Sequence, residues 1–490
     1  MNCFNELIKL YNTCGDFTAV TQDDCRLSLA ALLSVSQAFS DKLAGKNTGS
    51  CAALCLPNSL EAIVAFYALC RLGINICIIH SGETAGTVKD IARDTGADFL
   101  ITDSAGADKY SGIFSCVFNI CDNMPDLSGI SFSPADKSGD IYLCAGGTTG
   151  ENKITVLSQD NICNIALHLS FLRQYLEYGK ESTLLILPFS HSFGLAVCVH
   201  FCLTCGLNIV PLSSFSEEKV SNELLKHKVS FLAGVPAMFA KMLAFAHRYS
   251  PAAGNFRLLF CGGDFAGEKL LASFNDMVKK NGGSAVLYAG YGLTETASVC
   301  CVNTPENHRT GSVGRPLEGI SVSAVDDNCF LPRGASGEIA VSGDTVARGY
   351  LGEGEQPFFT DKNSKRWLLT GDTGYVDEDG YVFLTGRKKR MIVISGYNVF
   401  PAELEKTVCT ADEVSECCAV EKNADGKPSI LLYVSCGGLE TEKTEEKIRH
   451  IVSKRLSKYY MPSDIIFLPS LPHTEMGKID YNKLMKGIIK

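Results

Sequence analysis

Residues 58–102, NSLEAIVAFYALCRLGINICIIHSGETAGTVKDIARDTGADFLIT, switch between two hydrophobic periods. The first part is apolar at helical spacing and predicts a helix over 59–72. Asn58 and Glu61, three residues apart, have the spacing of a capping box, with Asn in place of the usual Ser or Thr. Gly73 is placed to end that helix. Ile74-Asn75-Ile76-Cys77-Ile78-Ile79 then reads as a short strand rich in β-branched residues. A second helix over 87–95 and a second strand, Phe99-Leu100-Ile101-Thr102, repeat the pattern. The same alternation returns around 184–187, 229–233, 258–261 and 285–288. Strands separated by helices argue for an α/β fold, with largely parallel sheets covered on both faces by helices.

The chain has 490 residues, enough for two to four domains, and 46% of them are hydrophobic against 20% charged. A large core is therefore available, and wholesale disorder is excluded. The net charge of −9 disfavours a general nucleic-acid binder or electrostatic attachment to anionic lipid. The 22 cysteines are irregularly spaced and many lie in apolar runs, so they read as small hydrophobes of a reducing compartment. The Cys202–Cys205 pair has no second pair at metal-site spacing and is read as core packing. The apolar run 193–212 contains His200, Thr204, Gly206 and Asn208, which favours a buried helix and strand over a membrane span. The N-terminus lacks the basic-then-apolar pattern of a signal peptide. A soluble cytoplasmic protein is expected.

After about residue 310 the composition shifts to Gly and Asp, and short strands such as Gly337-Glu338-Ile339-Ala340-Val341 alternate with turns. This section reads as antiparallel. Beyond Arg387-Lys388-Lys389-Arg390 comes a compact α+β unit: a helix from Pro401, strands near 417–421 and 430–435, a helix near 444–458 and a last strand at 465–468. The expected division is a large N-terminal domain over 1–387 and a small, mobile C-terminal domain over 388–490.

Five motifs carry chemistry. Tyr142-Leu143-Cys144-Ala145-Gly146-Gly147-Thr148-Thr149-Gly150-Glu151-Asn152-Lys153 leaves an apolar strand for a turn of glycines, hydroxyls and a lysine. Such a turn lets backbone N–H groups, hydroxyls and an ammonium converge on an anion, although the spacing is not that of a Walker loop. Tyr288-Ala289-Gly290-Tyr291-Gly292-Leu293-Thr294-Glu295-Thr296 follows another apolar strand. Its ring, hydroxyl and carboxylate suit a purine face, a phosphate and Mg²⁺. Thr370-Gly371-Asp372 offers an acceptor for a ribose diol, and Gly386-Arg387-Lys388-Lys389-Arg390 a cation at a domain junction. Pro472-His473-Thr474-Glu475-Met476-Gly477-Lys478-Ile479 sets a lysine on a glycine turn near the C-terminus.

In order and spacing these motifs resemble the adenylate-forming (AMP-binding) superfamily of acyl-CoA synthetases, peptide-synthetase adenylation domains and beetle luciferases. The resemblance implies two half-reactions. A carboxylate attacks the α-phosphate of ATP and releases pyrophosphate; after rotation of the C-terminal domain, a thiol displaces AMP. It further implies that Thr148, Thr149, Gly150 and Lys153 cradle the triphosphate. Tyr291, followed by Gly292, would stack on adenine, Thr294 would meet the α-phosphate and Glu295 would help hold Mg²⁺. Asp372 and Arg387 are implied to bind ribose, and Lys389 to be the hinge. Lys478 is implied to reach the α-phosphate and the substrate carboxylate in the first half-reaction only. Gly262, Gly263 and Asp264 match the strip beside adenine and substrate, Gly396 the turn lining the pantetheine tunnel, and His191 a gating or pocket histidine. The sequence departs from the family pattern at Gly146, Asn152, Ala289, Arg390 and Tyr481.

The substrate side is read more coarsely. Phe189 is followed by Ser190 and His191 rather than by the Asp of amino-acid-activating relatives. A buried ammonium without a counter-charge is costly, so amino acids are disfavoured. The motifs resemble fatty-acyl and aryl-acyl CoA ligases most, and the small Ala289 and Gly290 point to depth for a medium or long acyl chain. The expected co-substrates are ATP, Mg²⁺ and coenzyme A. The alternatives are a separate phosphopantetheinyl carrier protein as acceptor, or a non-catalytic nucleotide-binding relative. The expected assembly is a monomer or homodimer.

Overall fold

The computed structural model describes residues 1–45, 49–125, 129, 131–146, 152–352, 356–394, 397–424, 427–436, 441–474 and 478–487. Among these, two large sheets dominate. In the first, Thr18–Gln22, Asn208–Pro211, Ser182–Leu185, Val229–Gly234, Leu258–Cys261 and Leu287–Tyr291 run parallel side by side. In the second, Asp140–Gly146, Asn75–Ile78, Cys51–Cys55, Phe99–Thr102 and Cys116–Asn119 run parallel, and the Asn152–Ser158 strand returns antiparallel. The central strands are buried on both faces, as all-parallel sheets require. One apolar core runs from Phe4 and Leu7 through Phe66, Leu195 and Phe231 to Val341 and Val382.

An antiparallel sheet follows, built on Ser321–Asp326, Gly337–Ser342, Arg366–Val376 and Val382–Arg387. The C-terminal unit has its own core, with Ile392, Leu404, Leu432, Val434, Ile448 and Val452 packed together. There the antiparallel pair Glu416–Ala424 and Lys427–Ser435 is joined by a parallel third strand, Asp464–Leu468.

Local sequence chemistry accounts for most element ends. The helix Leu60–Leu72 ends at Gly73, whose φ of 73° lies in the left-handed region. Its N-cap is Ser59, accepting from the Ala62 N–H, and not Asn58 as the capping-box spacing predicts. Asn58 is drawn off by tertiary structure. Its amide donates to the Leu185 and Leu187 carbonyls and its oxygen accepts from the Phe189 N–H. The strand expected over 285–288 is displaced to Leu287–Tyr291. Its outer end pairs Gly290 with Val302 and Tyr291 with Cys301, so Tyr291 ends a strand instead of lying on the turn. The run 193–212 forms a buried π-helix, Phe193–Phe201, a short helical turn, Cys202–Thr204, and the strand Asn208–Pro211. All 22 cysteines are free, and Cys202 and Cys205 are buried in the core. Among the described residues, no helix is long and apolar enough to cross a membrane.

Candidate active site

The carboxyl ends of Leu258–Cys261 and Leu287–Tyr291 lead into adjoining turns, the position at which parallel sheets bind ligands. The first turn is Gly262-Gly263-Asp264. Gly263 has φ +81°, which favours glycine, and the Gly262 N–H donates to the Gly234 carbonyl at 3.1 Å. In the second turn a Cβ on Gly292 would lie 1.6 Å from the Ser298 carbonyl oxygen. The turn Thr294–Thr296 follows, with Thr294 buried and Glu295 half-buried.

Asp372 is the hub. It is 5% exposed, and its register partner across the hairpin is Arg387. Arg387 Nε lies 2.9 Å from one carboxylate oxygen, and the Tyr291 hydroxyl donates to the other at 2.7 Å. The Asp372 carboxylate holds the Arg387 guanidinium above its ordinary value, and burial, then Asp372, raises the Tyr291 phenol. Three sequence motifs thereby converge on one carboxylate.

Glu295 belongs to a second group. The Tyr350 hydroxyl donates to Glu295 Oε1 at 2.6 Å, and Lys153 Nζ stands 4.8 Å from the centre of the Tyr350 ring. Burial, and then the Glu295 charge, raises the Tyr350 phenol, so it remains a neutral donor. Sequence reasoning missed Tyr350. Its short strand, Gly349–Tyr350, pairs with Thr155 and Val156 beside Lys153, and no local motif announces that pairing.

Lys478 arrives from the C-terminal unit. Loss of water is the largest influence on its ammonium and lowers it from the ordinary 10.5. The charges acting on it are Asp264, Arg387, Asp372 and Glu295, so it lies within electrostatic reach of both groups just described. Burial, followed by the Lys478 charge, lowers His191 to about 3. His191 is therefore neutral near pH 7. Its Nδ1 accepts from the Phe193 N–H at 3.2 Å, which leaves the proton on Nε2.

Next to these polar groups lies a partly open apolar pocket. Phe193, Phe201, Phe231, Phe260, Val197 and Val302 are among its walls, and His191, Gly263 and Tyr291 stand in its lining. Among the described residues, the lining contains no Asp, Glu, Lys or Arg. Gly290 lines this pocket as expected, but Ala289 does not; its carbonyl accepts from Asn303.

The junction between the two units is anchored on both sides. Lys388 Nζ pairs with Glu338 at 2.9 Å, on the strand Gly337–Ser342. Arg390 pairs with Glu405 at 2.5 Å, donates to the Ala419 carbonyl and stands 4.6 Å from the Tyr481 ring centre. Lys389 lies exposed between them, apart from the converging residues. Arg390 and Tyr481, two departures from the family pattern, thus meet each other. Thr148, Thr149, Gly150 and Gly396 lie outside the described residues.

Known proteins fit this geometry. A family model described as "AMP-binding enzyme" matches residues 9–351, and one described as "AMP-binding enzyme C-terminal domain" matches 403–478. The chain is 27% identical over 465 residues to a 2-succinylbenzoate–CoA ligase of Geobacillus sp. (strain WCH70), covering 91% of this chain and 89% of the relative. It superposes on ATP-bound MatB of Rhodopseudomonas palustris with a TM-score of 0.86 at 24% identity, over 99% of both chains. It also superposes on the O-succinylbenzoate coenzyme A synthetase of Bacillus subtilis in complex with ATP and magnesium ion, with a TM-score of 0.82 at 24% identity, again over 99% of both chains.

Proposed function

The chain belongs to the AMP-binding enzyme family, and from that premise we propose that it is an ATP-dependent ligase joining a carboxylic acid with an apolar tail to coenzyme A. The observation that carries this reading is the apolar pocket opening beside the Asp372, Glu295 and Lys478 groups. In the first step an oxygen of the acid attacks the α-phosphorus of ATP and pyrophosphate leaves. In the second the thiol sulfur attacks the acyl carbonyl, the thiol proton goes to solvent and AMP leaves.

Each residue has a task in this reading. Asp372, buttressed by Tyr291 and Arg387, accepts from the ribose hydroxyls. Lys153, with Thr148, Thr149 and Gly150, would hold the phosphates, and Glu295, kept in place by Tyr350, would supply an anionic oxygen to the Mg²⁺ that accompanies ATP. A hard cation requires such oxygens, so the donor set fits. Lys478 offsets charge gathering on the α-phosphate. Neutral His191 donates from Nε2 toward the pocket mouth and orients the acid. The border expected at 387/388 is kept as a proposal with Lys389 as pivot; the pivot is supported by the change of anchorage across Lys389, from Lys388–Glu338 in the large unit to Arg390–Glu405 in the small one.

The pocket supports a medium-chain fatty acid first and an apolar aryl acid second. Relatives named for 2-succinylbenzoate handle a substrate with two carboxylates. Burying the second one against phenylalanine and valine, with no cation, is unfavourable. The test is a panel of octanoate, dodecanoate, an arylalkanoate, 2-succinylbenzoate and malonate, with ATP, Mg²⁺ and coenzyme A. Apolar monoacids are expected to give AMP, pyrophosphate and the thioester. Turnover confined to the diacids would overturn the substrate reading, and acid-dependent ADP would overturn the reaction. Replacing coenzyme A by a pantetheinylated carrier identifies the acceptor.

Glu295→Gln is expected to lower adenylation at least about tenfold, equivalent to about 1.4 kcal/mol in the barrier. Pyrophosphate release at limiting Mg²⁺ measures it, and unchanged turnover would mean that another carboxylate holds the ion.

A further inference from the structure

Behind the pocket, three chain-distant residues meet in the core: Cys3 on the helix Cys3–Cys14, Cys163 on the helix Gln159–His168 and His200 on the π-helix Phe193–Phe201. Their exposures are 0%, 4% and 0%. Their ligating atoms all lie within 4.8 Å of one another. The two sulfurs are 3.7 Å apart, and two thiolates on a tetrahedral zinc at about 2.3 Å each stand roughly 3.8 Å apart. The histidine supplies an independent sign. Its Nδ1 is hydrogen-bonded to the buried Tyr67 hydroxyl at 3.0 Å, whereas its Nε2 is buried with no hydrogen-bond partner. An unsatisfied ring nitrogen in a core is costly. One nitrogen oriented by an outer hydrogen bond and the other left open is the arrangement of a metal-binding imidazole.

We propose that Cys3, Cys163 and His200 form a buried site for Zn²⁺ that ties the N-terminal helix to the pocket-lining helix. The cation displaces one proton from each thiol, and both protons go to solvent. Two thiolates, a neutral imidazole and a divalent cation sum to zero charge, so the loaded site leaves no net charge in the apolar core. Sulfur and imidazole donors suit zinc, whereas Mg²⁺ and Ca²⁺ require oxygen. Cys3, Cys163 and His200 supply three of the four ligands that a tetrahedral zinc takes. The site stands apart from the ATP groups. It shares the π-helix with the acid pocket, where Phe193, Val197 and Phe201 form wall and His200 does not, and Leu169 at the end of the Cys163 helix also lines that pocket.

Because the site is enclosed, the ion has to enter as the chain folds. The full chain is therefore produced in zinc- or cobalt-supplemented medium and purified under a phosphine reductant without chelator. Elemental analysis is expected to find one zinc per chain. The cobalt form is expected to show thiolate-to-metal charge transfer and intense tetrahedral visible bands, and both forms should melt several degrees above metal-free protein. Cys3→Ala and Cys163→Ala should each lose the ion and the bands, and Cys409→Ala, far from the site, should keep them. The cobalt spectrum of the unsubstituted protein stands even if a variant fails to fold. A wild-type chain without bound metal, a cobalt spectrum without thiolate charge transfer, or variants that retain the ion would each overturn the proposal.

Discussion

Lys478→Ala is expected to slow acid-dependent ATP–pyrophosphate exchange by roughly 10²-fold or more, on the scale of a lost transition-state charge contact. The same variant should form thioester from synthetic acyl-adenylate nearly as fast as the parent. The reason is geometric. Lys478 belongs to the C-terminal unit yet sits in the field of Asp264, Asp372, Glu295 and Arg387 of the large one. On the proposed reading it serves adenylation only while the two units hold this arrangement. The pH dependence follows from the same site. The ammonium is the acting form, and desolvation lowers its pKa from 10.5. Adenylation by the parent should therefore decline as pH rises through that lowered value, and the alanine variant should lack this alkaline limb. Lys389→Pro should show the reverse pattern, because a fixed φ at the pivot hinders the second arrangement. Equal slowing of both steps by Lys478→Ala would sink the alternation of domains.

Asp372→Ala should be comparably severe. Removing the buried carboxylate of a hydrogen-bonded pair whose Arg387 side chain is 47% exposed costs about 2–3 kcal/mol, so kcat/KM for ATP should fall by roughly 30–150-fold. The loss has two parts: the proposed ribose acceptor disappears, and both Arg387 and the Tyr291 hydroxyl lose their partner. Tyr291→Phe separates them. It removes one neutral donor and leaves the carboxylate, worth about 1 kcal/mol or roughly fivefold. If Asp372→Ala leaves the KM for ATP unchanged while Tyr291→Phe raises it, Asp372 is a scaffold for the aromatic ring and does not touch the ribose.

Much of the site was legible because its chemistry is local. A glycine turn with a neighbouring hydroxyl and carboxylate is written within a few residues, as in Tyr291-Gly292-Leu293-Thr294-Glu295. The αβ alternation was legible for the same reason, since each period is a property of a short window. Boundaries slipped where long-range bonds competed. Asn58 left the helix cap for carbonyls 127 and 129 residues away.

The sequence alone determined the α/β class, the motif set and a small C-terminal unit, all of which follow from periodicity and turn chemistry. Only the tertiary structure decided which side chains meet. It brought the Tyr291 hydroxyl to Asp372 across 81 residues and Tyr350 to Glu295 across 55. It lined the pocket with rings from several elements, paired Arg390 with Tyr481, and gathered Cys3, Cys163 and His200. The physical reason is that a window of sequence records which face of an element is apolar. What that face touches is settled when distant elements pack and exclude water together.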